Sequence, residues 1–198
     1  MTAAEGTLLK CGGSLLNHPD LPRELTDLVS GFSCPILLVG GGAAADVVRD
    51  WDRIFQLGEV RSHELAMKSL QLTANLLVEL IPHARLCCSL NQIAGLVSQN
   101  FLPVLDPVAC VNELQQRTSL PFPKNWEMTT DSIGLWIAAA AGLQKYVLIK
   151  SVSRPQEWSW DSLSTSGLVD AEFPRTMSRL TSPPEISWIN LRTESCVR

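Results

Sequence analysis

The segment KCGGS at residues 10–14 has the composition of an anion-binding loop. The apolar run at residues 7–11 predicts a buried strand that leads into it. Glycines let the backbone approach a ligand closely and let N–H groups face an anion, and Lys10 adds a positive charge. Ser14 could cap a helix or donate to a phosphate. A phosphate-binding loop and a plain turn beside a surface lysine explain this segment equally well.

A second glycine-rich segment, GGGAAAD at residues 40–46, follows an apolar run at residues 35–39 that predicts another buried strand. A helix that starts here could bind phosphate through its free N–H groups and its macrodipole. Three consecutive glycines cost backbone entropy, which favours a functional loop over a structural turn. The spacing matches neither the P-loop nor the dinucleotide-binding pattern. The helix dipole explains Asp46 as well as a ligand contact does.

The third candidate is Asp131, in the segment TTDS at residues 129–132, before an alanine-rich helix predicted at residues 131–142. Ligands of open α/β sheets bind at the carboxyl edge of the strands, where this carboxylate would face both glycine loops. Capping of the helix by Thr130 or Asp131 explains the same residues equally well. Two phosphate loops, a lysine and an aspartate together predict a phosphoryl-transfer site, where catalysis is mostly positioning and charge neutralisation.

Strands alternating with helices position these residues. Further strands are predicted at residues 86–88, 102–105, 145–150 and 185–191. Further helices are predicted at residues 21–30, 43–57, 63–80 and 91–98. The second of these helices has Ala44, Val47, Val48 and Trp51 on one side, and the third has apolar residues at Leu65, Leu72, Leu76 and Leu80. This alternation predicts one domain with a three-layer α/β/α sandwich and a mainly parallel sheet, and residues 151–184 are its least regular part.

Composition restricts the function classes. The 198 residues are 45% hydrophobic and 18% charged with a net charge of −4, which disfavours nucleic-acid binding. No apolar stretch reaches the roughly 20 residues of a membrane span, and no secretory signal is recognisable. We therefore expect a cytoplasmic protein with small anionic partners and without nucleic-acid or membrane partners. Most of the six cysteines are expected to be buried, reduced thiols; the six are Cys11, Cys34, Cys87, Cys88, Cys110 and Cys196.

No metal site is predicted, because the cysteines and histidines lack ligand spacing. The three histidines, His18, His63 and His83, are expected at the surface or in helix caps.

The three motifs resemble, in order and spacing, those of the amino acid kinase family, which includes aspartate, acetylglutamate, carbamate and uridylate kinases. The resemblance covers about residues 7–152 and rests on the strand with KxGGS, the strand with GGGxxAD and the TTDS segment. Within the family, the segments VGGGAAADVVRDWD, HELAMKSLQLTANLL and WEMTTDSIGLWIAAAAG resemble a small branch that includes the aminomethylfuran phosphate kinases of methanofuran-type cofactor synthesis.

The resemblance implies a kinase that transfers the γ-phosphoryl group of ATP, with Mg²⁺ as counter-charge, to a small phosphate or carboxylate acceptor. It also implies a homodimer or a higher homo-oligomer. Lys10 matches the lysine that contacts the transferring group, and Asp131 matches the aspartate that orients the catalytic lysines. Acceptor binding is assigned to Gly40, Gly41, Gly42 and Asp46. Phosphate or nucleotide binding is assigned to Gly12, Gly13, Ser14, Thr130, Ser132 and Lys150.

The C-terminal part departs from the family pattern. About residues 1–125 correspond to the acceptor half, and about residues 126–198 to a nucleotide half that is shorter than in the family. Ser153 and Arg154 replace the usual aspartate-glycine pair, and Lys150 and Arg175 are the candidates for a missing second lysine. These departures keep open a binding protein for an anionic metabolite that does not use ATP, and a non-catalytic subunit of a larger assembly.

Overall fold

Six parallel strands form the centre of the fold in this computed structural model, which describes residues 6–192. The strands lie in the order β3-β4-β2-β1-β5-β6, and every pairing between neighbours is parallel. Their bounds are β1 Thr7–Cys11, β2 Pro35–Val39, β3 Ala84–Cys87, β4 Leu102–Leu105, β5 Lys145–Lys150 and β6 Glu185–Asn190. The fully parallel arrangement requires crossover connections, which the helices provide.

Helices cover both faces of the sheet, so the predicted three-layer α/β/α sandwich is confirmed. Their bounds are α1 Leu21–Val29, α2 Gly42–Phe55, α3 Glu59–Leu80, α4 Ile93–Ser98, α5 Pro107–Gln115, α6 Thr130–Ala140, α7 Trp160–Thr165 and α8 Glu172–Arg179. One hydrophobic cluster joins α5, α6 and α8 to one face of the sheet. A second cluster joins α1 and the C-terminal half of α3 to the other face.

The register of the central strands places two lysines on one face. β1 is buried along its whole length and pairs with β2 and β5. Lys10 lies opposite Leu148 in this register. Because side chains alternate along a strand, Lys150 shares the face of Leu148 and therefore that of Lys10. This is the face that α6 covers.

Most of the apolar residues that the sequence singles out on α2 and α3 do not pack on the core. Leu72, Leu76 and Leu80 are exposed by 42–64% of their surface, and Val47 and Trp51 are exposed as well. The face of α3 that packs on the core consists instead of Met67, Leu70, Ala74 and Leu77. Apolar residues occupy two sides of this helix. The regular spacing of the leucines follows the exposed side, so it does not predict the side that packs on the core.

Four of the cysteines, Cys11, Cys34, Cys87 and Cys110, are buried, whereas Cys88 is exposed. Burial raises the pKa of the Cys11 thiol to about 12, so this group is an inert thiol. Cys196 lies outside the described residues. Within residues 6–192, no helix is both long enough and apolar enough to span a membrane.

Candidate active site

A carboxylate lies between two lysines at the carboxyl edge of the central strands. Lys10 Nζ at the end of β1 is 2.7 Å from Oδ1 of Asp131, in the first turn of α6. Lys150 Nζ at the end of β5 is 2.6 Å from Oδ2 of the same carboxylate. We call these three residues the Lys–Asp–Lys cluster. Two ammonium groups and one carboxylate give it an excess positive charge.

The charged groups of the cluster are buried, so water screens them little. Lys10 and Asp131 are each 5% exposed. Burial by itself would raise the pKa of the Asp131 carboxyl, but the charges of Lys10 and Lys150 outweigh it and hold the pKa below its usual value. Burial, followed by the charge of Lys10, lowers the pKa of Lys150. The three residues of the cluster thus carry one excess positive charge in a buried position, which suits an anion, while a further carboxylate, Asp170, lies close enough to act on Lys150.

Asp170, which sequence reasoning missed, holds the start of α6. Its Oδ2 accepts hydrogen bonds from the N–H of Thr129 at 2.9 Å, the hydroxyl of Thr129 at 2.7 Å and the N–H of Ser132 at 3.1 Å. The hydroxyl of Ser132 donates to its Oδ1. Burial, together with the neighbouring Asp131 charge, raises the pKa of Asp170 to about 6. Asp170, and not Thr130 or Asp131, thus caps this helix end by accepting from the N–H groups of Thr129 and Ser132.

The same connection between α7 and α8 also holds Lys150, because Lys150 Nζ donates to the carbonyl oxygen of Leu168 at 2.8 Å. The hydroxyl of Tyr146 in β5 donates to the Asp131 carbonyl oxygen at 2.8 Å. Lys150 and Asp131 are therefore each held by a hydrogen bond from or to a residue outside the cluster. The contact with Lys150 comes from residues 151–184, the segment predicted to be the least regular part of the domain.

The two glycine loops pack directly on each other. A Cβ atom on Gly13 would lie 2.3 Å from the backbone nitrogen of Gly42, and one on Gly40 would lie 2.5 Å from that of Gly13. Gly42 also has a φ of +51°. Close approach of two backbones thus requires glycine here, apart from any ligand.

Two of the loop N–H groups are part of the sheet. Gly12 N donates to the Ile149 carbonyl oxygen and Gly40 N to the Cys11 carbonyl oxygen, each at 2.9 Å. These two groups are not free for the predicted contact with an anion.

A cavity of about 370 Å³, the main cavity, lies between the glycine loops, α2, α3 and the segment before α6. Predicted site residues in its lining are Gly13, Ser14, Gly40, Gly41, Gly42, Asp46 and Thr130. Lys10 precedes Gly13 by three residues, Asp131 directly follows Thr130, and both side chains are buried. The three residues of the Lys–Asp–Lys cluster do not themselves line the main cavity, although residues close to two of them in the chain do.

Arg49 gives the main cavity a cationic group that sequence reasoning missed. Its guanidinium donates to Asp46 Oδ1 at 2.6 Å and lies 5.3 Å from the ring centroid of Trp126. The Trp126 indole N–H donates to Asp52 at 2.7 Å, which fixes the ring. Arg49, Asp46 and Trp126 all line the cavity. One turn of helix separates Asp46 from Arg49, so their pairing is the signal that could have revealed the arginine.

The structure separates the remaining predicted residues from the cluster. Ser132 is fully buried and engaged with Asp170, which argues against direct contact with phosphate. Arg175 forms ion pairs with the exposed Glu127 and the buried Glu172, away from Asp131, and Lys150 is the cation that meets Asp131. A second, open cavity of about 430 Å³ follows β5 and is lined by Ser153, Arg154, Pro155, Gln156, Trp188 and Asn190.

The residues around the cluster suit a magnesium ion that is carried by phosphates. Among the described residues there, both carboxylates are engaged: Asp131 faces two ammonium groups, and Asp170 accepts hydrogen bonds from Thr129 and Ser132. Mg²⁺ in phosphoryl-transfer sites keeps several waters and binds substrate phosphates more than protein cages. The chain would therefore contribute cationic side chains and leave the ion to the nucleotide.

Comparison with solved structures shows the fold. Uridylate kinase from Archaeoglobus fulgidus has a TM-score of 0.58 and 17% identity, covering 87% of this chain and 86% of its own. UMP kinase from Ureaplasma parvum has a TM-score of 0.60 and 12% identity, covering 94% of this chain and 89% of its own. UMP kinase from Bacillus anthracis has a TM-score of 0.61 and 10% identity, covering 96% of this chain and 89% of its own. The chain thus has the amino acid kinase fold over most of its length.

No protein-family model and no curated protein matches the sequence. The aminomethylfuran phosphate kinase branch therefore stays a prediction.

Proposed function

We propose that this protein is a small-molecule kinase that transfers the γ-phosphoryl group of ATP to a small phosphate or carboxylate acceptor. The observation that carries this proposal is the Lys–Asp–Lys cluster at the carboxyl edge of β1 and β5. Phosphoryl transfer needs charge neutralisation and positioning more than covalent help from the protein. The likeness in fold to three uridylate kinases supports the same class of reaction.

The acceptor binds in the main cavity, where its anionic group faces Arg49 and the glycine loops. ATP binds along the open cavity after β5, where Trp188 offers a flat face to a base. Lys150 links the Lys–Asp–Lys cluster to the open cavity, since its Nζ lies 5.4 Å from the Trp188 ring centroid and 2.6 Å from Asp131. The branch resemblance makes an aminomethylfuran phosphate of C1-cofactor synthesis the first acceptor to test.

In the proposed reaction, an acceptor oxygen attacks the γ-phosphorus, the bond to the β–γ bridging oxygen breaks, and ADP leaves. Lys10 and Lys150 neutralise the charge that spreads over the transferring oxygens, and Asp131 holds both lysines in place. A magnesium ion carried with the nucleotide would supply further positive charge. Alignment of this kind contributes roughly 7–11 kcal/mol to rate acceleration, and one positioned donor contributes about 3–4 kcal/mol.

The proposal is tested by measuring ADP formation from ATP·Mg²⁺ across a panel of small phosphates and carboxylates. Lys10→Ala should abolish turnover while circular dichroism and thermal unfolding show a folded protein. Lys145→Ala, at the exposed start of β5, is the matched control and should retain full activity. Wild-type-like turnover in Lys10→Ala contradicts the assignment.

A second candidate is a protein that binds an anionic metabolite without using ATP, alone or as a subunit of an assembly. The main cavity favours it, because Arg49 and the glycine loops could hold an anion with no nucleotide present. Calorimetry distinguishes the two functions. Heat from an anionic metabolite together with none from ATP·Mg²⁺ supports the binding protein.

We also propose a cytoplasmic homo-oligomer, in which α3 contacts a second copy through its exposed leucines. Leu72, Leu76 and Leu80 are spaced four residues apart and so form one stripe on the helix. Exposed apolar stripes of this kind mark interaction surfaces. Sedimentation should show that Leu72→Lys/Leu76→Lys lowers the oligomer mass, while Asn112→Lys on α5 leaves it unchanged. An unchanged mass in the double variant contradicts this contact.

A further inference from the structure

His63 lies inside the protein, contrary to the prediction of a surface or capping histidine. It sits in the first turns of α3, is 3% exposed and lines the main cavity. The ring also borders a smaller cavity of about 240 Å³ on the other side of α3. The edge of Phe122 packs against it, with ring centroids 5.7 Å apart. This polar ring therefore stands in an otherwise largely apolar wall.

The hydrogen bond at Nδ1 determines the tautomer of His63. Nδ1 lies 3.1 Å from the backbone carbonyl oxygen of Asn125, and a carbonyl oxygen only accepts. Nδ1 therefore carries the proton and donates it. Burial, which outweighs that hydrogen bond, lowers the pKa of the imidazole, so the ring is neutral near pH 7. Nε2 is consequently an acceptor with a free lone pair.

Nε2 has no hydrogen-bond partner among the described residues, although it is buried. A buried polar atom without a partner is unfavourable, and such atoms in native proteins often mark a ligand or a water that completes them. The lining of the main cavity includes the side chains of Met67, Leu70, Met128 and Ile133, which have no hydrogen-bond donor, and none of its polar side chains pairs with Nε2. A bound acceptor molecule is a natural source of that donor.

We propose that Nε2 of His63 accepts a hydrogen bond from an N–H or O–H group on the body of the acceptor molecule. His63 thereby selects small anionic acceptors that carry such a donor over acceptors whose body is wholly apolar. This inference rests on the proposed function only in treating the main cavity as the acceptor site. A site that is built to pair with a donor discriminates strongly against the analogue that lacks it.

The test is a calorimetric binding comparison of benzyl phosphate with its ring-substituted aminomethyl and hydroxymethyl derivatives, without ATP. Wild-type protein should bind the best donor-bearing probe about tenfold more tightly than benzyl phosphate, as expected for one hydrogen bond. His63→Asn keeps a donor for the Asn125 carbonyl and removes the acceptor at Nε2. In this variant the ratio of the two affinities, donor-bearing probe over benzyl phosphate, should fall to about one. His63→Gln, which can place an amide oxygen near the Nε2 position, should restore part of it.

Nitrogen NMR of histidine-labelled protein gives a direct signature. The Nε2 resonance of His63 should move upfield when a donor-bearing probe binds and stay in place with benzyl phosphate. Ala45→Leu fills the main cavity from α2 and should abolish both binding and the shift. A shift that survives in Ala45→Leu assigns the donor to the smaller cavity and overturns the proposal.

Equal ratios in folded wild-type and His63→Asn proteins also overturn it, as does failure of every donor-bearing probe to bind. Failure of the kinase proposal is distinguishable, because these measurements contain no ATP. A donor-dependent ratio without phosphoryl transfer supports the role of His63 in a binding protein. Transfer to acceptors regardless of their donor groups refutes the role of His63 alone.

Discussion

Lys150 Nζ lies 2.6 Å from Oδ2 of Asp131, whose other oxygen is 2.7 Å from Lys10. Lys150, one of the two candidates for the second lysine that the resemblance to the amino acid kinase family leaves unmatched, lies in this geometry at the end of β5. β1 and β5 are neighbours in the sheet, so both cations reach the same carboxylate from adjacent strands. The departure from the family pattern is thus compatible with a complete pair of cations.

The first prediction concerns turnover. Lys150→Met should lower kcat by about 10²–10³-fold, because it removes one of two cations aimed at the transferring group. Lys145→Met, five residues earlier and exposed, should have no effect. Steady-state ADP formation checks both variants. Activity of Lys150→Met within a factor of about three of wild type would show that Lys10 acts alone.

The second prediction concerns the free energy of unfolding. Asp131→Asn should lower it by about 3–5 kcal/mol, because two buried ammonium groups would lose their common counter-charge. Asp46→Asn breaks a pair with Arg49 of similar length, 2.6 Å, but that carboxylate is 70% exposed. Its cost should stay below about 1 kcal/mol. Urea unfolding measures both variants, and equal costs contradict the buried, unscreened character of the cluster.

Much of the sheet is predictable, because buried parallel strands are short apolar runs bounded by glycine or proline. β1, β2, β4 and β5 have the predicted bounds. The missed helices α5, α7 and α8 have six to nine residues and owe their stability to tertiary contacts. Phe173 of α8, for example, is fully buried among distant residues, which no local pattern reveals.

The candidate site is predictable to a similar extent. Lys10 and Asp131 follow from their motifs, and Lys150 follows from strand order once β1 and β5 are neighbours. Asp170 and His63 do not, because each acts through contacts with residues 38–62 positions away in the chain. Their roles depend on burial, which a single sequence does not show for isolated polar residues.

The third prediction concerns pH. The pKa of Asp170 is about 6 in the folded protein against an ordinary 3.8, so the folded state binds more protons between these values. Its contribution to stability is therefore present at the acidic end of this window and is lost as the pH rises through about 6. Asp170→Asn lacks this titration.

Urea unfolding of both proteins between pH 4.5 and pH 7 checks this expectation. The stability difference, wild type minus Asp170→Asn, should fall by about 1–3 kcal/mol over that range. The lowered pKa of Asp131 acts below pH 3.8 and does not contribute in this window. A difference that is flat or rises with pH contradicts the raised pKa of Asp170.

The fourth prediction concerns the contact between the glycine loops. Gly13→Ala and Gly40→Ala should each lower the free energy of unfolding by about 3 kcal/mol or more, because the added methyl group meets backbone at 2.3–2.5 Å. Gly95→Ala, in α4 with nothing within 4 Å, is the control and should be neutral or stabilise by up to about 1 kcal/mol. Thermal unfolding that ranks the three alike would refute the tight packing of the loops.

The most direct test of the account follows the phosphorus atoms themselves. Wild-type protein is incubated with ATP·Mg²⁺ and a panel of small phosphates and carboxylates, and ³¹P NMR records the products. The account predicts a new phosphoanhydride or acyl phosphate resonance that appears together with an equal amount of ADP, and that is absent with Lys10→Ala and present with Lys145→Ala. Binding of an anionic metabolite by calorimetry, with neither ATP binding nor a new resonance, would contradict it.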